Sequence, residues 1–312
     1  MNSKQVKLSK ETDNTRRKLY LEFVCASAEI KSTGSQMEHY FEPDMIAKNK
    51  ESGRVVRSCK YDRYFKGRNP SRATLELIEA KITGSYLFYY STLWHALNLI
   101  RCKDNDYEQF YSRLPLEVLN VIYLPKKNEF NQWQRRAICH NRIKELMIIG
   151  GLDSLACLLA FRMERSKDLL HINISVLDAN IFLLFSNCCV INPLSIAYIP
   201  LTVVSKHLYQ FIKQQFTLIN EDLGGGWENN EDYLSDIIND KEYLLSLAIQ
   251  RRVVKYDYIC HPFLYWAYIG NEELIKYEME YYEIIGKGNI IALRQLVRKI
   301  NPHYPKPDRI RI

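Results

Sequence analysis

Along most of the chain, apolar residues recur every three or four positions, the period of a helix with one buried face. Residues 15–30 (TRRKLYLEFVCASAEI) place apolar groups at 19, 23, 26 and 30. The same period predicts helices over 35–41, 53–65 and 71–83. It continues over 107–113, 115–123, 128–148, 152–165, 171–187, 193–216, 231–253, 262–285 and 288–300. Breakers fall between these runs: Glu42-Pro43, Gly67, Gly84, Pro115, Gly150-Gly151, Asn192-Pro193, Gly224-Gly225-Gly226, Gly286 and Gly288. The expected fold class is all-α. An N-terminal module over residues 1–100 would be followed by a larger helical domain over 101–312, divided at the polar segment from Arg101 to Tyr107. No fixed repeat period emerges, which argues against a solenoid.

Composition narrows the class. Hydrophobic residues at 47% and charged residues at 25% are ordinary for a globular protein. This excludes a mostly disordered chain, a collagen-like fibre and a polytopic membrane protein. One stretch, residues 179–205, carries no charge over 27 residues, enough to span a bilayer. Asn180, Asn187, Asn192, Pro193 and Pro200 would then lie at membrane depth without partners. Two buried helical segments broken at Asn192-Pro193 are the preferred reading, with a membrane segment as the alternative, and no membrane association is expected. The first 20 residues are polar and charged, without the apolar core of a secretory signal, so a cytoplasmic location is expected. The eight cysteines form no CxxC pair and are expected reduced and mostly buried. Cys139-His140 and Cys260-His261 are adjacent dipeptides rather than the spaced pairs of structural zinc sites. No metal and no cofactor is expected.

The charge is uneven. The net +7 of the chain lies in residues 1–72, which hold 16 Lys/Arg against 9 Asp/Glu, while residues 73–312 hold 27 of each. Nine basic residues crowd into 48–72 against Glu51 and Asp62. A local basic stretch suits contact with a phosphate backbone, although a solvated Lys/Arg surface produces the same pattern.

Within it, residues 57–80 read RSCKYDRYFKGRNPSRATLELIEA. Tyr64 stands three before Gly67, Arg68-Asn69 follow, and Pro70-Ser71, Thr74-Leu75 and Ile78 complete the pattern PSxxTLxxI. This resembles the end of a Cro/repressor-like helix-turn-helix domain, over about 25 residues. The resemblance implies a recognition helix over 57–63 with Arg57, Ser58, Lys60 and Arg63 as base-contact candidates. Lys48, Lys50, Arg54, Lys66, Arg68 and Arg72 are the phosphate-contact candidates. Tyr64, Gly67, Pro70, Leu75 and Ile78 would pack the module. A helix-turn-helix ordinarily joins its helices by about 3–4 residues, whereas Glu42 to Gly53 intervene here. The order HYFEPD, KYDRYFKG, PS and TGSYLFYYSTLWHAL over 39–97 also resembles an uncharacterised proteobacterial helix-turn-helix-like family, which implies a helical module fused to a longer helical region and no activity. Trp94, with Tyr90, Leu93 and Leu97, reads as the seam between module and remainder. His95 reads as a surface or capping residue.

No Walker loop, GxSxG, HExxH or dinucleotide GxGxxG is present. Gly224-Gly225-Gly226-Trp227 lacks the Lys-Ser/Thr of a phosphate loop and reads as a linker. The acidic run from Glu228 to Glu242 and the tyrosine-rich 276–285 read as solvated or core helix faces. His171, Asp178 and His207 are titratable groups whose convergence only a structure can test. Three functions remain open at this point. The first is binding of double-stranded DNA, as a transcriptional regulator. The second is a helical scaffold for a protein partner or homo-oligomer. The third is an unrecognised enzyme or toxin activity in 107–312.

Overall fold

The computed structural model describes residues 8–48, 55–99, 107–164, 172–189 and 204–218, with single positions at 223, 224, 227, 234, 235 and 238. It is mostly helical, as the periodicity requires. The described helices are α1 (Lys10–Ser27), α2 (Gly34–Phe41), α3 (Lys60–Phe65), α4 (Arg72–Glu79), α5 (Ser85–Tyr89), α6 (Thr92–Leu99), α7 (Tyr107–Tyr111), α8 (Leu116–Ile122), α9 (His140–Ile149), α10 (Gly151–Glu164), α11 (Ile174–Cys189) and α12 (Ser205–Thr217). Two short antiparallel pairs interrupt them. These are β1 (Ala47–Lys48) with β2 (Val55–Val56), and β3 (Tyr123–Lys127) with β4 (Trp133–Arg135).

Helix starts follow capping chemistry, in which a side-chain oxygen accepts one of the unpaired first-turn amides. Ser9 accepts from Thr12 N at 3.1 Å, Thr33 from Gln36 N at 3.3 Å, and Ser71 from Thr74 N at 3.3 Å.

Two expected helices are shorter than the period suggested. The run 53–65 is helical only from Lys60; Val55 and Val56 pair instead with Lys48 and Ala47. β-branched valines suit a strand. The entry to α3 is fixed by Cys59 in the left-handed region (φ 52°) and by the Ser58 hydroxyl, which accepts the Lys60 amide at 3.2 Å. The run 128–148 is helical only from His140, because 123–135 forms a hairpin. Its turn is closed by the Asn128 side chain, which accepts the amides of Phe130 (3.0 Å) and Gln132 (2.9 Å), while Asn131 takes φ 62°. Asparagine is suited to both roles.

One buried cluster joins α1, α6, α10, α11 and α12, including Leu19, Phe23, Trp94, Leu159, Phe185 and Phe216. Helix α6 lies on α10, and α10 lies on α11. Trp94 is buried at this seam, edge-on to Phe88 at 5.5 Å, and its indole N–H donates to the Phe88 carbonyl at 2.8 Å. Within the core, Arg162 of α10 donates to Asp178 of α11 at 2.6 Å, with both side chains buried. Asp178 also accepts the Gly224 amide at 3.1 Å. Breaking such a buried pair from one side leaves a polar group without its partner and is strongly destabilising. Among the described residues no helix is long and apolar enough to cross a membrane. The expected break at Asn192-Pro193 lies outside the described residues.

Candidate nucleic-acid interface

The basic segment is organised by contact between α2 and α3. Gly34 opens α2 against α3 so closely that a Cβ there would lie 2.5 Å from the Asp62 backbone nitrogen. This approach sets three acids, Glu38 and Glu42 of the α2 side and Asp62 of α3, beside the start of α3. Glu38 is fully buried. Its Oε1 accepts from the Ser58 amide at 2.6 Å and from the Ser58 hydroxyl at 2.5 Å, and Arg57 Nε stands 3.8 Å from its Oε2. Arg57 also pairs with Asp62, and Lys60 with Glu42.

Three of the four base-contact candidates are therefore engaged within the chain. Arg57 and Ser58 also precede α3 rather than lying on it. Arg63 is exposed and, alone of the four, has no carboxylate partner among the described residues. Of the phosphate-contact candidates, Lys66 and Arg68 are likewise exposed without a carboxylate partner among the described residues. Arg72 is exposed but pairs with Glu76 one turn on at 2.8 Å. Lys48 lies in β1, whereas Lys50 and Arg54 lie outside the described residues.

The corner between α3 and α4 positions these cations. Gly67 adopts φ 118°, a conformation open to glycine, and turns the chain out of α3. Tyr64 is buried with its hydroxyl 3.0 Å from Thr74 Oγ1, and Pro70, Leu75 and Ile78 are buried around it. The result is a groove of about 640 Å³ whose lining includes Lys60, Arg63, Arg68, Asn69 and the capping Ser71 at the start of α4, with Glu42 at one edge. The amide end of α4 adds positive potential to the same side as Arg63 and Arg68.

Sequence reasoning missed Glu38, Glu42 and Asp62 as the counter-charges that claim Arg57, Ser58 and Lys60. A signal existed, since Glu38, Glu42 and Asp44 cluster within seven residues just upstream of the basic stretch. Among the described residues, the other groups singled out by sequence form no second site. Asp178 is held by Arg162, whereas His207 Nδ1 lies 2.9 Å from Glu22. His171, Cys260-His261, Gly225, Gly226, the acidic run 228–242 and the tyrosine-rich 276–285 lie, apart from isolated apolar and serine positions, outside the described residues. Among the described residues no cluster of three or more His, Cys, Asp or Glu has metal-holding geometry. No protein-family model, curated protein or solved structure matches the chain.

Proposed function

We propose that the protein binds double-stranded DNA through the α3–α4 corner, chiefly by contacts to the phosphate backbone, and acts in the cytoplasm as a transcriptional regulator. The observation that carries this reading is the trio Arg63, Lys66 and Arg68, exposed and, among the described residues, unpaired with acids beside a groove that the α4 amino end also faces. Base reading rests on Arg63 alone, since Arg57, Ser58 and Lys60 are committed to internal acids. Phosphate contacts position a protein on the duplex without reading sequence, so the reading favours modest sequence preference. Fluorescence anisotropy with duplex DNA over a salt series tests it. The logarithm of affinity falls with the logarithm of salt by about 0.9 per phosphate neutralised, and the triple change Arg63→Gln, Lys66→Gln, Arg68→Gln flattens that slope. Absence of binding at low salt, or an unchanged slope in the triple variant, overturns the reading.

A second reading, self-association as a scaffold, has its own observation. The β3–β4 hairpin holds Phe130 79% exposed and Trp133 56% exposed, an unusual placement for large aromatics. Sedimentation of the parent and of a Phe130→Ser, Trp133→Ser variant decides it: self-association that disappears in the variant supports it, and a monomeric parent sinks it.

A further inference from the structure

A second concavity lies behind the same corner. It measures about 830 Å³ and is walled by α1, by the α3–α4 turn at Asn69-Pro70 and by the α5–α6 corner at Tyr89 to Ser91 and His95. We propose that this cavity binds a small organic anion, one that carries a carboxylate or phosphate on a flat ring.

The volume falls in the range of small-molecule sites, about 300–1,000 Å³. Three nitrogen groups line it from two helices: Lys10 and Arg16 of α1 and His95 of α6. The one acid in the lining, Asp13, is already engaged, accepting from Arg16 Nη2 at 2.5 Å and from Asn69 Nδ2 at 2.8 Å. The lining therefore holds more cationic capacity than its own carboxylate consumes, which is the condition for taking up an anion. Its walls also carry two buried nitrogens without hydrogen-bond partners among the described residues, Arg16 Nε and His95 Nδ1. Buried polar atoms are almost always paired, so this arrangement is one in which the walls are incompletely satisfied and gain from a ligand that redraws their contacts. The flat ring follows from the remaining lining, Leu8, Pro70 and the half-exposed Tyr90, which offers apolar and aromatic surface. The Arg16 guanidinium already lies 4.2 Å from the centre of the Tyr89 ring, so planar groups stack here. Burial, with Arg113 and Arg16 nearby, holds His95 neutral by lowering its pKa to about 4. A bound anion acts in the opposite sense and raises it.

The site has a route to the DNA-contacting corner, a consequence that rests on the DNA reading above. Asn69 lines both concavities. It donates to Asp13 and accepts from Arg17 Nη1 at 3.3 Å, and it adjoins Arg68. A ligand anion that draws Arg16 away from Asp13 changes the hold on Asn69 and with it the setting of Arg68.

The test uses the full chain with benzoate as the probe and inorganic phosphate as the ringless comparison. The His95 ring is followed by NMR and assigned with His95→Gln. Benzoate is expected to move the His95 signals saturably, to raise the His95 pKa, and to bind several-fold more weakly to Lys10→Gln. Non-saturable shifts, or binding unchanged in Lys10→Gln, overturn the proposal; phosphate binding without benzoate binding overturns the ring. Anisotropy with duplex DNA, with and without benzoate, separates the two readings. Benzoate binding in a protein that binds no DNA leaves the site standing and removes the DNA reading, whereas DNA binding with an unresponsive His95 does the reverse.

Discussion

The two ends of α3 carry the same kind of charge put to opposite uses. At its start, Arg57 and Lys60 face Asp62, Glu42 and the buried Glu38. At its end, Arg63, Lys66 and Arg68 face solvent with no acid paired to them among the described residues. In sequence the five belong to one basic run. The difference lies in the partner helix: α2 lays its acids along the start of α3 and ends before reaching its far end. A count of cations thus overstates what is offered to a ligand, because part of the charge is paired with carboxylates of the same fold, one of them, Glu38, buried. Arg162 in the core is the limiting case, a cation buried against Asp178 and over the Phe216 ring.

That contrast can be broken or sharpened by substitution. The largest effect is expected from Arg162→Met, which strands a buried aspartate; breaking a buried pair from one side costs roughly 3–5 kcal/mol. Denaturant unfolding measures it, and a change under about 1 kcal/mol would mean that Asp178 does not depend on Arg162. Next comes Gly34→Ala. Its methyl group meets the Asp62 backbone, and overpacking of this kind costs typically about 1–3 kcal/mol. Because α2 must then shift, the Arg57 and Lys60 pairs loosen, and duplex binding should gain rather than lose cations. Smaller again is the double change Arg57→Gln, Lys60→Gln. A loss of about 1 kcal/mol is expected, because these pairs are partly exposed, together with an unchanged salt slope for DNA. A slope that falls would move both residues to the ligand-facing group. The smallest effect on stability, within about 0.5 kcal/mol, belongs to the triple Gln variant at Arg63, Lys66 and Arg68, and its whole consequence should appear in the salt series.

The helical class was legible because amphipathic spacing survives translation into structure. The runs that became α1, α2, α4, α8, α10 and α11 lie close to their expected positions. The hairpin was not legible for a specific reason. Phe130, Trp133, Ala137 and Ile138 fall at i, i+3, i+7 and i+8, a helical stripe, yet Phe130 and Trp133 are exposed on a turn and a strand. Local turn chemistry at Asn128 and Asn131 overrode the period. The turn itself was legible because Gly67 at φ 118° and the capping Ser71 act through short-range backbone preference. Which cations stay free was not readable, since it depends on a contact between Gly34 and Asp62, 28 positions apart.

Gly34 has a consequence for the length of the chain it brackets. The close approach it permits, together with the Glu38–Ser58 and Glu42–Lys60 bonds, fastens both ends of the connection from α2 to α3 to fixed points on the body. Once the ends of a connection are fastened, each doubling of its length costs only about 0.6 kcal/mol. The pairs that assign the charges of α3 are therefore expected to survive a change in the length of chain joining Lys48 to Val55, since each is made outside it.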